Sequence, residues 1–211
     1  MVLWLLLKNR IEIILERHHR RSIRLKGFDY SHPGYYFVTI CTKDRECLLA
    51  EISDSKIYLN EIGKMSDRIW HEIPEHFPNA AVDQFIVMPN HLHGIIQILE
   101  KNQNKDTAKE RGLMNQAPTL QRSSDCDFNS VQWIMMKNQA LGLGKIIRFF
   151  KARSALEIRN KKSISFYWQR NYFEHIVRDK SELFRIRNYI RENPVNWSMD
   201  EDNPLNVIKE R

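Results

Sequence analysis

Two histidines separated by one leucine, His91-Leu92-His93, open an apolar run immediately after the corner Met88-Pro89-Asn90. Side chains alternate across a strand, so both imidazoles project from one face and Leu92 from the other. Same-face Cα atoms two residues apart lie roughly 6.5–7 Å from each other, close enough for two rings to converge on one ion. An ion held by two imidazoles and one or two oxygens can act as a Lewis acid on a phosphoryl oxygen. The pair alone has a second reading, with one imidazole exposed and the other hydrogen-bonded in the core. A nucleophile and further ligands must come from elsewhere in the chain.

The elements that would position such a site can be read around it. The run 81–88 precedes the histidine strand, 92–99, across Pro89-Asn90, which predicts a hairpin with the histidines at its corner. Residues 35–42 read as a strand from their β-branched and aromatic content, and 56–59 as a weaker one. Asn60 offers an N-cap, after which Ile62, Met65, Ile69 and Ile73 recur at helical spacing until Pro74 and Pro78. A helix over 144–159 places Leu143, Ile146, Ile147, Phe150 and Ile158 on one arc, and Lys145, Arg148, Lys151 and Arg159 on another. A short strand is expected around 164–168.

The last helix begins near Asp179, with Glu182 completing a capping box. It ends at or just before Asn193, because Pro194 disfavours the helical conformation in the residue preceding it. Leu183, Ile186 and Ile190 form its apolar stripe, and Arg185, Tyr189 and Asn193 follow one border of that stripe at intervals of four. This order of elements predicts an α+β domain, a mainly antiparallel sheet with helices on one face.

With 211 residues, 42% of them hydrophobic, the chain can bury one good core. A formal charge of +7 and a pI near 9.3 bias the partners toward polyanions. Basic residues concentrate in 8–26 and 137–162, whereas 51–100 is acidic; two solvated basic faces without a ligand would look the same on charge alone. Cys41, Cys47 and Cys126 show no metal-site spacing and read as reduced thiols of a cytoplasmic protein. The apolar run 2–7 is too short to cross a bilayer, so residues 1–19 are expected to form a helical extension and no membrane is a partner. Residues 101–140 read as a polar connector inside a catalytic domain spanning 20–203, and 204–211 as a tail.

Three separated motifs carry a resemblance. Met88-Pro89-Asn90-His91-Leu92-His93-Gly94, Trp168-Gln169-Arg170-Asn171-Tyr172-Phe173-Glu174-His175 and Tyr189-Ile190-Arg191-Glu192-Asn193-Pro194 resemble the single-tyrosine HUH transposases, named for two histidines around a hydrophobic residue. The closest resemblance is to the branch called REP-associated tyrosine transposases, and the opening 21–30 looks like that branch too. The resemblance implies a ferredoxin-like or RRM-like sheet, a divalent metal, Mg²⁺ or Mn²⁺, and single-stranded or hairpin DNA as substrate. It implies that Tyr189 attacks a DNA phosphate, giving a 5′-phosphotyrosine and a free 3′-hydroxyl, and that Asn193 joins His91 and His93 as a third metal ligand. It implies a monomer or a homodimer. Arg185 is then placed to favour the phenolate or hold the phosphate. Arg20, Arg21, Arg24 and Lys26 are expected beside the hairpin, and Lys145, Arg148 and Lys151 along the strand path.

Each residue has a plainer reading. Tyr189 could extend its hydroxyl out of the core edge, and Asn193 could terminate its helix in left-handed geometry. His175 reads mainly as structural, and Tyr172, the competing nucleophile, as part of a packing cluster with Trp168 and Phe173. At the level of function, a domesticated DNA-binding protein that no longer cuts is the alternative to a transposase-like endonuclease. A phosphodiesterase using activated water is a further one.

Overall fold

The structure, a computed structural model, describes residues 27–100, 142–200 and 202–207. The expectations for 1–26 and for the connector fall outside those residues. Strand β1 is Gly34–Cys41; β2 (Ala50–Ser53) and β3 (Lys56–Leu59) form a separate hairpin; helix α1 is Glu61–His71, followed by the short α2 (Ile73–His76). Strands β4 (Ala80–Val87) and β5 (His91–Ile98) precede the long helix α3, Leu143–Lys162. Strand β6 (Phe173–Val177), helix α4 (Lys180–Glu192) and the one-turn α5 (Pro204–Val207) complete the order.

The main sheet has the order β4-β5-β1-β6, with every neighbouring pair antiparallel. Set beside the connecting helices, this is the split β-α-β arrangement of ferredoxin-like domains. The expected α+β class and antiparallel sheet are therefore what the chain forms. Asn60 caps α1 as its residue type suggests, its Oδ1 accepting from the Ile62 and Gly63 amides at 2.9 and 3.0 Å.

Alternation along the strands decides what each face holds. Tyr36, Val38 and Ile40 of β1 and Leu92, Ile96 and Ile98 of β5 turn to one side, where they join Ile69 and Trp70 of α1 and Ile146, Ile147 and Phe150 of α3 in the main core. Trp70 lies so close to β5 that a Cβ on Gly94 would sit 2.3 Å from its ring, so the strand passes beneath the indole only with glycine there.

Two expectations need correction. The helices do not share one face: Leu183, Ile186 and Ile190 of α4 pack with Phe37 and Ile95 on the opposite side of the sheet. An apolar stripe says that a helix packs, and the register of the strands decides on which side. Nor is 164–168 a strand. Phe166 and Trp168 do turn inward, but the backbone makes one bridge, Thr42 with Trp168, and the edge position beside β1 belongs to Phe173–Val177.

Candidate active site

The corner between β4 and β5 sets the histidine pair. Met88 N–H closes the turn on the His91 carbonyl at 2.8 Å, and His91 and His93 then emerge on the α4 side while Leu92 enters the main core. Both imidazoles are buried, at 0% and 3% exposure. Their Nε2 atoms lie 3.1 Å apart.

Outer contacts fix the rings. His91 Nδ1 is 2.9 Å from Asn90 Oδ1, an acceptor, so it carries the proton and leaves the Nε2 lone pair facing inward. His93 Nδ1 is 2.9 Å from the hydroxyl of Thr39, its cross-strand partner, which can donate or accept. Burial, with Arg45 adding to it, pushes His91 down from 6.5 to about 3. Burial and the neighbouring His91 push His93 well down too, against the opposing charge of Asp202. The pair is therefore neutral at working pH, as metal ligation requires.

Asp200 supplies the carboxylate, and sequence reasoning had not singled it out. His91, His93 and Asp200 are buried with their donor atoms all within 4.8 Å of one another. The segment that carries Asp200 is braced by asparagine amides: Asn203 donates to the Trp197 carbonyl at 3.0 Å, and Asn206 to the Ser198 and Asp200 carbonyls at 3.0 and 2.8 Å. Asn90 joins this segment to the histidine corner. Its amide nitrogen donates to the Asp202 carbonyl at 2.6 Å and to the Arg45 carbonyl at 3.0 Å, and the Arg45 guanidinium pairs with the Asp202 carboxylate at 3.0 Å.

Helix α4 brings the tyrosine. The Asp179 side chain accepts from Glu182 N–H at 2.8 Å to start the helix. Glu182 in turn accepts from Arg178 N–H at 2.8 Å and pairs with His175 at 2.9 Å, which gives His175 the structural role expected of it. Arg187 grips Asp83 at the irregularity between Val82 and Phe85 of β4, anchoring the helix to the sheet edge. Tyr189, one residue from the buried stripe, lies with its ring 6.1 Å from Phe37 and 5.3 Å from His93. Its hydroxyl is 3.5 Å from His93 Nε2.

Asn193 closes the helix in right-handed geometry, φ −56°, which removes the left-handed reading. It is fully buried, and neither atom of its side-chain amide has a hydrogen-bond partner among the described residues. A buried amide left so costs roughly 1–3 kcal/mol, which an incoming ligand could recover. The Nε of Arg185 is likewise buried without a partner among those residues. Tyr172 packs against the main core, as its aromatic surroundings suggested.

The expected phosphate-binding residues separate. Arg20, Arg21, Arg24 and Lys26 lie outside the described residues. Lys145 is partly buried on α3, and Arg148 is exposed and lines a cleft. Lys151 is committed internally: its ammonium donates to the carbonyls of Gln169, Arg170 and Asn171, the last two at 3.2 and 3.3 Å. The helical wheel could not show that the 169–171 loop folds over it, beside the cleft that Lys151 also lines.

No family model matches the chain. A Haemophilus influenzae protein named "Uncharacterized protein" is 39% identical over 87% of this chain and 93% of its own. A second protein from that organism, named "Putative REP-associated tyrosine transposase", is 27% identical over 79% of this chain and 73% of its own. A solved structure of a REP-associated tyrosine transposase bound to a REP hairpin is 17% identical, covering 84% of this chain and 76% of that one with a TM-score of 0.45. The chain thus belongs to one family with the first of these Haemophilus proteins, and in sequence it is more distantly similar to the second, named as a putative REP-associated tyrosine transposase.

Proposed function

We propose that this protein is a metal-dependent endonuclease and strand transferase for single-stranded, hairpin-associated DNA, working through a 5′-phosphotyrosine on Tyr189. The observation that carries the reading is the placing of one phenol 3.5 Å from an imidazole nitrogen of a buried His-His-Asp cluster. A structural tyrosine at the core edge has no need of that neighbour.

The donor set fits an ion. Imidazole nitrogens bound about 2.0–2.1 Å from one metal come within about 3 Å of each other, the spacing of the two Nε2 atoms here. His91, His93 and Asp200 would hold it, and the unpartnered Asn193 amide oxygen is the candidate fourth ligand. With two nitrogens in the set, Mn²⁺ suits the site better than Mg²⁺. When bound, the ion supplies Lewis-acid polarisation of a non-bridging phosphoryl oxygen.

The chain's own groups do the rest. Tyr189 forms the new phosphorus–oxygen bond as the bond to the 3′ oxygen breaks, and the phenol proton passes, through solvent, to the departing 3′-hydroxyl. A phenol leaves a phosphodiester more readily than an alkyl alcohol, so the same 3′-hydroxyl or another DNA end can reverse the step. Asn90 and Thr39 hold the imidazoles in place, and burial keeps both neutral.

A denaturing gel tests the reading. Purified protein, a labelled single-stranded hairpin from the flanks of its own gene and Mn²⁺ are expected to give a covalent adduct. The adduct disappears with chelator and with Tyr189→Phe, and persists with Tyr172→Phe. Tight hairpin binding with no adduct would replace this reading with a non-cleaving DNA-binding protein.

A further inference from the structure

We propose that Tyr167 is a stacking platform for one unpaired base of the DNA strand, in a basic cleft adjoining the histidine corner. The inference rests on single-stranded DNA being the substrate, and adds a binding site to that reading.

A cleft of about 650 Å³ runs between Lys43, Arg45, Tyr167 and Arg170. A second of about 450 Å³, bordered by Arg148 and Arg159, shares Tyr167, Trp168 and Arg170 with it. Both volumes fall in the range that takes a nucleotide-sized ligand. Asp44 is the acidic residue in the linings, and it faces Lys43 at 3.9 Å.

Tyr167 is the residue that the fold does not account for. Its neighbours Phe166 and Trp168 are buried, and Trp168 donates its indole N–H to Ser154 at 2.8 Å. Tyr167 turns the other way and stays 47% exposed. Its ring has the Arg159 guanidinium 5.3 Å and the Lys43 ammonium 5.9 Å from its centroid. An exposed aromatic ring flanked by cations is the combination that binds single strands, since every base has a π-face and every linkage a phosphate.

Hydrogen bonds tie the cleft to the site. Lys43 N–H bonds the Tyr167 carbonyl at 2.9 Å, and Gln169 N–H bonds the Cys41 carbonyl at 2.8 Å. Lys151 holds the carbonyls of the following loop. Thr42 N–H bonds the Asn90 carbonyl at 2.8 Å, and the Arg45 carbonyl accepts from the Asn90 amide. The cleft wall and the orientation of His91 thus hang on the same asparagine, and a strand seated on Tyr167 passes on toward the histidines.

The test is anisotropy with labelled oligo(dT) of roughly eight nucleotides, within the site size of single-strand binders, added to the full chain in chelator. Tyr167→Ala is expected to weaken binding roughly tenfold, Tyr167→Leu equally, and Tyr167→Trp to restore it. Blunt duplex binding should not move. Equal oligo(dT) binding by Tyr167→Ala, or full affinity in Tyr167→Leu, would overturn the proposal. Photocrosslinking of the parent protein with 5-iododeoxyuridine in the oligonucleotide checks it without substitution: crosslinks on Tyr167 support it, and crosslinks confined to other residues overturn it. Chelated protein binds without cutting, so a failed adduct assay leaves this measurement standing, and the converse holds too.

Discussion

The two faces of the main sheet are made from alternate residues of the same strands and have opposite contents. On one, Tyr36, Val38, Leu92 and Ile96 close against Trp70, Ile146 and Phe150, with buried apolar side chains throughout. On the other, Phe37 and Ile95 meet the stripe of α4 in a smaller cluster, and the strand ends beside them carry Thr39, His91 and His93. Burial of apolar area stabilises the first face, while the second buries imidazoles, a carboxylate and an unpartnered amide. Stability and chemistry are thereby assigned to different sides of one layer, and each should be damaged without the other.

The sharpest separation is expected from Tyr189→Phe. It should lower adduct formation by roughly 10⁴-fold or more, as loss of a nucleophile does, while the thermal midpoint stays where it was. Next comes the opposite case, Trp70→Ala on the core face. It should cost about 3–5 kcal/mol in urea unfolding, yet the protein that remains folded should bind Mn²⁺ with its former affinity by calorimetry. A parallel loss of metal binding would show that the faces are coupled.

Asn90→Ala should weaken Mn²⁺ binding about 10–100-fold by freeing the His91 ring. The smallest effect is one of pH. Both histidines have folded-state values depressed by burial, His91 from 6.5 to about 3. The unfolded chain therefore takes up protons first, so the stability is intact above about 6.5 and erodes as pH falls toward about 3. Across the first unit below 6.5 the loss should be on the order of 1 kcal/mol per histidine in chelator, and a chain with both histidines replaced by alanine should lack that slope.

Much of this was legible in the sequence because it depends on local pattern. The facing of His91 and His93 and the border position of Tyr189 follow from repeats of two or 3.6 residues, and the hairpin corner at Pro89-Asn90 and the cap at Asp179 from the chemistry of adjacent residues. What escaped depends on contacts between distant segments. Asp200 reaches the histidines through a turn held by Asn203 and Asn206, and no periodicity marks such a turn. The side of the sheet taken by α4, the edge position of Phe173–Val177 and the engagement of Lys151 with the 169–171 loop were likewise settled by pairing and packing. Tyr167 was visible only as an aromatic in a short apolar stretch. Its exposure became informative once its two neighbours were seen to be buried.

The bond from Asn90 to the Asp202 carbonyl spans 112 residues of chain. During synthesis, domains assemble from the end made first, so the histidine hairpin leaves the ribosome well before its tyrosine and its carboxylate. A half-made chain would carry the imidazoles without the phenol and the carboxylate that meet them in the finished fold. Any interruption of translation before Tyr189 leaves the two histidines without either neighbour, so the cluster is completed only once the segment around Asp200 has been made.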